Sequence, residues 1–158
     1  MTEINRIVQQ MQFAFYGKAW HGPALLEALT TISATQAASK PVPNAHSIWE
    51  IVLHIGAWHR FVARRLAGEE VVDIPVEEDW PAVHDTSAAA WKNVLQELQQ
   101  QHKNLCDATS RLQDADLNRL VRGENNAHSV YVLLHGVIQH DLYHAGQIVL
   151  LRKTMTRS

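Results

Sequence analysis

The stretch VYVLLHGVIQHDLYHAGQIVLL, running from Val130 to Leu151, decides the reading of the fold. It is apolar on most sides, contains no proline and follows Ser129, so it reads as the most buried helix of an all-α domain. Three histidines interrupt it, His135, His140 and His144, and the last two form a pair. His140 and His144 are four residues apart, which on a helix is about 40° around the axis and one turn along it. Their face continues through Leu133, Val137, Ile148 and Leu151, so the pair points into the protein. A buried imidazole without a partner is unfavourable. Coordination of a metal through one ring nitrogen, with a hydrogen bond at the other, resolves that cost.

A third ligand has to come from another helix, and the upstream chain supplies one. Ser47-Ile48-Trp49-Glu50 reads as a capping box opening a helix that reaches Leu66 before Gly68 ends it. His54 sits mid-helix in the apolar run Ile51-Val52-Leu53-His54-Ile55. Taken alone it is better read as a satisfied core histidine. Beside the His140/His144 pair it completes three imidazoles on two helices, the open three-ligand set that divalent metals use in catalysis.

Two further helical stretches are expected. Ile4, Ile7, Met11 and Phe15 recur at helical spacing, and Leu25, Leu26, Leu29 and Ile32 resume it after Gly22-Pro23, giving a first helix in two pieces. From Asp85 as N-cap, Trp91, Val94, Leu95, Leu98, His102, Leu105 and Leu112 trace one stripe of a third helix. Residues 33–44 have the composition of a connector that separates rather than packs. The acidic, proline-containing crossover from Glu69 to His84 is a candidate lid, and a polar loop spans Asp114 to Asn126. Sustained two-residue alternation is missing, so no sheet is expected. The reading is a single domain over residues 1–158, a four-helix bundle with a long crossover between helices two and three. Ala45-His46-Ser47 and Ala127-His128-Ser129 open helices two and four alike, which fits either duplicated halves or shared capping chemistry.

Composition narrows the function classes. Lys and Arg total 14 against 16 Asp and Glu, a net charge of -2, so there is no basic field for nucleic acid or an anionic membrane surface. The single cysteine, Cys106, cannot close an internal disulfide and excludes a cysteine cage for a metal. With no targeting segment or membrane span in view, a cytoplasmic protein is expected. Histidine, by contrast, accounts for 10 of 158 residues, scattered from His21 to His144. His135 and His59 each stand five residues from a site histidine, about 140° away, and fall off the site face. His46 and His128 lie at helix starts, where capping or solvent exposure is expected. His102, on the apolar stripe of helix three, is open to three readings: core histidine, fourth ligand or proton shuttle. Glu50 lies on the face of His54 and is a further possible ligand. His140-Asp141-Leu142-Tyr143-His144 also invites comparison with the H-E-x-x-H of zinc peptidases, but its second residue is the shorter Asp. Asp141 is expected at the surface or orienting a neighbour.

Taken together, Trp49 to Ile55 and His140-Asp141-Leu142-Tyr143-His144-Ala145-Gly146-Gln147-Ile148 resemble the DinB-like (DinB/YfiT-like) metalloenzyme superfamily, and Trp20 to Leu29 is similar to its first-helix region. Ala145 stands where arginine is common in that family. The resemblance implies an up-up-down-down four-helix bundle, usually a homodimer, with zinc, nickel or a similar divalent ion on His54, His140 and His144. Some relatives are S-transferases or isomerases that use low-molecular-weight thiols. The expectation that follows is a metal-dependent thiol S-transferase acting on a small molecule, in which a metal-bound water or thiol carries the chemistry. The alternatives are a non-catalytic metal-binding bundle and a metal-dependent hydrolase.

Overall fold

The computed structural model describes residues 1–70, 73–121 and 127–155. Helix dominates it. Four long helices, α1 (Glu3–Tyr16), α4 (Ile48–Leu66), α6 (Ala88–Ser110) and α7 (Val130–Met155), are joined by three short ones, α2 (Leu25–Leu29), α3 (Ala34–Ala38) and α5 (Val76–Asp79). The predicted capping box forms: Ser47 Oγ accepts from the Glu50 N–H, and the Glu50 carboxylate accepts from the Ser47 N–H. At α1, Thr2 caps from within, while both oxygens of Asp114 accept the N–H groups of Glu3 and Ile4 at 3.0 Å. The segment after α6 thus satisfies a helix start that would otherwise leave donors unpaired.

Five expectations need correction. Residues 33–44 do pack: Ser33 caps α3, whose Ala37 is fully buried, and α3 lies against α4 and α6. Helix α6 is capped by Ser87, two residues later than expected, because the Asp85 carboxylate is engaged by the Ser87 N–H and hydroxyl. A small sheet exists, β1 (Leu120–Val121) paired antiparallel with β2 (His128–Ser129), where Leu120 faces Ser129. Two-residue strands are too short to alternate visibly; they belong to the polar loop, of which residues 122–126 lie outside the described residues. The second piece of helix one ends at Leu29, although Ile32 still reaches the core and its carbonyl accepts the Trp91 indole N–H at 2.9 Å. Finally, α7 is not the most buried helix all round, because Tyr131, Val132, Tyr143 and Leu150 face solvent. Both serines of the Ala-His-Ser echo cap their helices: Ser129 Oγ accepts from the Val132 N–H as Ser47 does from Glu50.

α4 packs on α6 and α7, and α1 packs on the same two helices. The core divides into two apolar clusters. One gathers Phe15, Leu25, Trp49, Trp91, Leu98 and Ile148; the other gathers Ile7, Met11, Phe61, Leu105, Leu134 and Val137. Between them in sequence lie His59 on α4, His102 on α6 and His140, Asp141 and His144 on α7, with His54 at the edge of the first cluster on α4. The apolar core is therefore interrupted at mid-height by a polar layer. No helix among the described residues is long and apolar enough to cross a membrane.

Candidate metal centre

The structure brings His54, His140 and His144 together. His140 Nε2 stands 3.0 Å from His54 Nε2 and 3.1 Å from His144 Nε2. The outer nitrogens decide what those contacts mean. His54 Nδ1 lies 2.7 Å from the Asp79 backbone carbonyl and 3.0 Å from its carboxylate, and His144 Nδ1 lies 2.7 Å from Gln147 Oε1. Such oxygens only accept, so the proton of each neutral ring is assigned to Nδ1 and its Nε2 lone pair faces His140. A neutral His140 brings at most one proton to the group, and its own Nδ1 is buried with no hydrogen-bond partner among the described residues. That one proton can fully satisfy only one of the two contacts, and the other is left with lone pairs face to face, which repel unless a cation lies between them.

The donor set fits a metal. Metal–nitrogen bonds of about 2.0–2.1 Å at angles between square and tetrahedral put the nitrogens roughly 2.9–3.4 Å apart, which includes the spacing found. The protonation state fits as well, because a ligating imidazole must be neutral. Burial lowers the pKa of all three rings. His140 is pushed down to about 3, by burial first and then by His144 and His54. For His54, contact with Asp79 offsets part of the effect.

Several residues around the trio were not singled out by the sequence. Asp79 ends α5 inside the crossover and also accepts the Trp58 indole N–H at 2.8 Å. Trp80 lies flat on His54, centroids 3.8 Å apart, and His46 lies flat on Trp80 at 3.6 Å. The acidic cluster ending in a tryptophan was the available signal; its long-range pairing with α4 was not. Gln147, one turn beyond His144, was readable at i,i+3 spacing. Beside His144 opens a largely apolar cavity of about 360 Å³ lined in part by His46, Trp80, Tyr143 and Leu150. A second, of about 270 Å³, reaches His140 past Trp58 and Val137.

The other candidates are placed elsewhere. Burial alone would raise the Glu50 carboxyl, yet bonds from Ser47 and Lys40 hold it below its ordinary value, so it serves the cap and an ion pair with Lys40 at 2.9 Å. His102 does not join the trio; it stacks on Phe15 near His59. Asp141 is buried rather than at the surface, with both oxygens against His59 Nε2. That engagement removes it as the second-position base of a peptidase motif. His135 packs on Tyr131, and His128 lies in β2.

A sequence profile of the DinB superfamily matches residues 19–148. Comparison with curated proteins and with solved structures gives no match.

Proposed function

The chain belongs to the DinB superfamily, and from that premise we propose that it is a metal-dependent enzyme whose His54, His140 and His144 hold one divalent ion, zinc or nickel, with coordination positions left open. The observation that carries this reading is the convergence of three Nε2 atoms, two of them with lone pairs turned inward by Asp79 and Gln147. When bound, a divalent ion held by neutral imidazoles supplies a charge that favours deprotonation of a thiol or water near neutral pH. Asp79 and Gln147 hold the rings in orientation. Trp80 and the largely apolar cavity beside His144 offer a surface to a small apolar electrophile.

Within the superfamily this chemistry is best matched by an S-transferase that conjugates a low-molecular-weight thiol. The test is direct. Metal-loaded protein mixed with small thiols and monochlorobimane is expected to accelerate conjugation, and the rate should vanish on chelation and in His140→Ala. Absence of metal-dependent conjugation with every thiol tried would leave a hydrolase or a non-catalytic metal-binding bundle in its place.

The same membership supports an up-up-down-down arrangement of α1, α4, α6 and α7. The helix pairs that pack, α1 and α4 each on α6 and α7, are those which that topology makes antiparallel neighbours. It also supports a cytoplasmic homodimer joined along α7. Val132, Tyr143 and Leu150 are 50%, 65% and 63% exposed. They fall within about 20° of one another at 100° per residue. Gly136 and Gly146 lie nearby on the wheel, and a methyl group added at either would meet nothing within 4 Å.

A further inference from the structure

A second polar group lies inside the molecule, apart from the trio. His59 on α4, His102 on α6 and Asp141 on α7 are 0%, 1% and 3% exposed. Their potential ligand atoms all lie within 4.8 Å of one another. Three different helices therefore deliver two imidazoles and a carboxylate to one point in the core.

The hydrogen bonds within this group do not balance. The Asp141 carboxylate can accept about four bonds, yet among the described residues its one partner is His59 Nε2, at 2.9 and 3.0 Å from its two oxygens. His59 Nδ1 and His102 Nδ1 are both buried with no partner among the same residues. His102 Nε2 meets only the Cys106 sulfur, at 3.4 Å, and a thiol is a weak donor and acceptor. Burial pushes that thiol up to about 11, so it stays protonated and adds no negative charge. The Phe15 ring closes one side, lying flat on His102 with centroids 3.8 Å apart. A buried carboxylate and two orphaned imidazole nitrogens cost free energy unless something compensates them.

We infer that His59, His102 and Asp141 form a second divalent-cation site, sealed inside the core where the trio borders a cavity. Two imidazoles and a carboxylate suit zinc, iron(II), cobalt(II) or manganese(II). A dication neutralises the carboxylate and takes up nitrogen lone pairs that no protein donor meets. Because the site is enclosed by α1 and the core, its ion enters as the chain folds and exchanges slowly, whereas the trio's ion faces a cavity and exchanges fast. The role is structural: it ties α4, α6 and α7 together beside His140.

The full chain is stripped of metal in denaturant with chelator, refolded with cobalt(II) or zinc(II), desalted, and assayed for metal by elemental analysis. Two equivalents are expected, one leaving within minutes in EDTA and one over many hours. In the double variant His54→Ala/His144→Ala the slow equivalent remains, and adding Asp141→Asn removes it. A slow equivalent that survives in that double variant supports the second site even if the trio binds nothing, which separates the two readings. Wild-type protein that never holds a slowly exchanging ion overturns the inference. So does a slow ion that Asp141→Asn leaves in place; His59 and Asp141 are then a proton-sharing pair.

Discussion

The Nδ1–H of His54 is held twice by one residue, at 2.7 Å by the Asp79 carbonyl and at 3.0 Å by its carboxylate. The same carboxylate oxygen receives the Trp58 indole N–H. Residues that hold a ligating histidine by its outer nitrogen fix both tautomer and ring orientation, and their loss costs about 10–100-fold in metal affinity. Asp79→Ala keeps the carbonyl and removes the carboxylate, so its effect belongs at the lower end, roughly tenfold weaker binding. Zinc titration against a chromophoric chelator measures it directly. Unchanged affinity would mean that the backbone carbonyl alone orients His54. This pairing was invisible in the sequence because residues 54 and 79 meet only once the crossover folds back. The four-residue spacing of His140 and His144, by contrast, was readable from helix geometry.

At the scale of elements, the polar layer between the two apolar clusters governs how the helices respond to acid. His102 and His140 are each pushed down to about 3, His102 by burial first and then by neighbouring His59, His140 by burial first and then by His144. In the unfolded chain a histidine titrates near 6.5. Between these values the unfolded state binds more protons than the folded state, so stability falls as pH drops and is level with respect to these two groups above about 6.5. Each contributes a slope of at most about 1.4 kcal/mol per pH unit. The urea midpoint of metal-free protein, followed by circular dichroism, is expected to fall steadily from pH 6.5 to 4; a level midpoint over that span would show that the two rings take up protons without unfolding. Single-helix chemistry was the most legible part of these elements, as at Ser47 and Glu50, because both partners of a capping box lie within one turn. The start of α6 was misplaced by two residues because Asp85 and Ser87 can each cap, and only the folded loop selects between them. The packing of α3 was missed for a related reason: five residues of Ala, Thr and Gln carry little apolar pattern, and Ala37 is buried by what surrounds it.

At the scale of the whole molecule, α7 has two faces with different work. One carries His140, Asp141 and His144 inward; the other presents Val132, Tyr143 and Leu150 outward. A helix in a stable monomer seldom leaves large apolar side chains aligned in water, and here the exposed row carries two small residues, Gly136 and Gly146, that let another helix approach closely. Tyr143 and Leu150 also line the cavity beside His144, so a partner seated on this row would wall that cavity and couple assembly to the site. Leu150→Glu tests the arrangement with little risk to the fold, since the side chain is already 63% exposed. Sedimentation at tens of micromolar is expected to show wild-type dimer and mutant monomer, with equal helical circular dichroism and unchanged stoichiometry of the fast-exchanging metal. Because burying one large apolar side chain is worth about 1.5–3 kcal/mol and a two-fold axis places two copies in the contact, the dimer constant should weaken by roughly 100-fold or more. A wild-type chain that sediments as a monomer would instead assign the apolar row to the mouth of the cavity, where its work would be to receive the substrate.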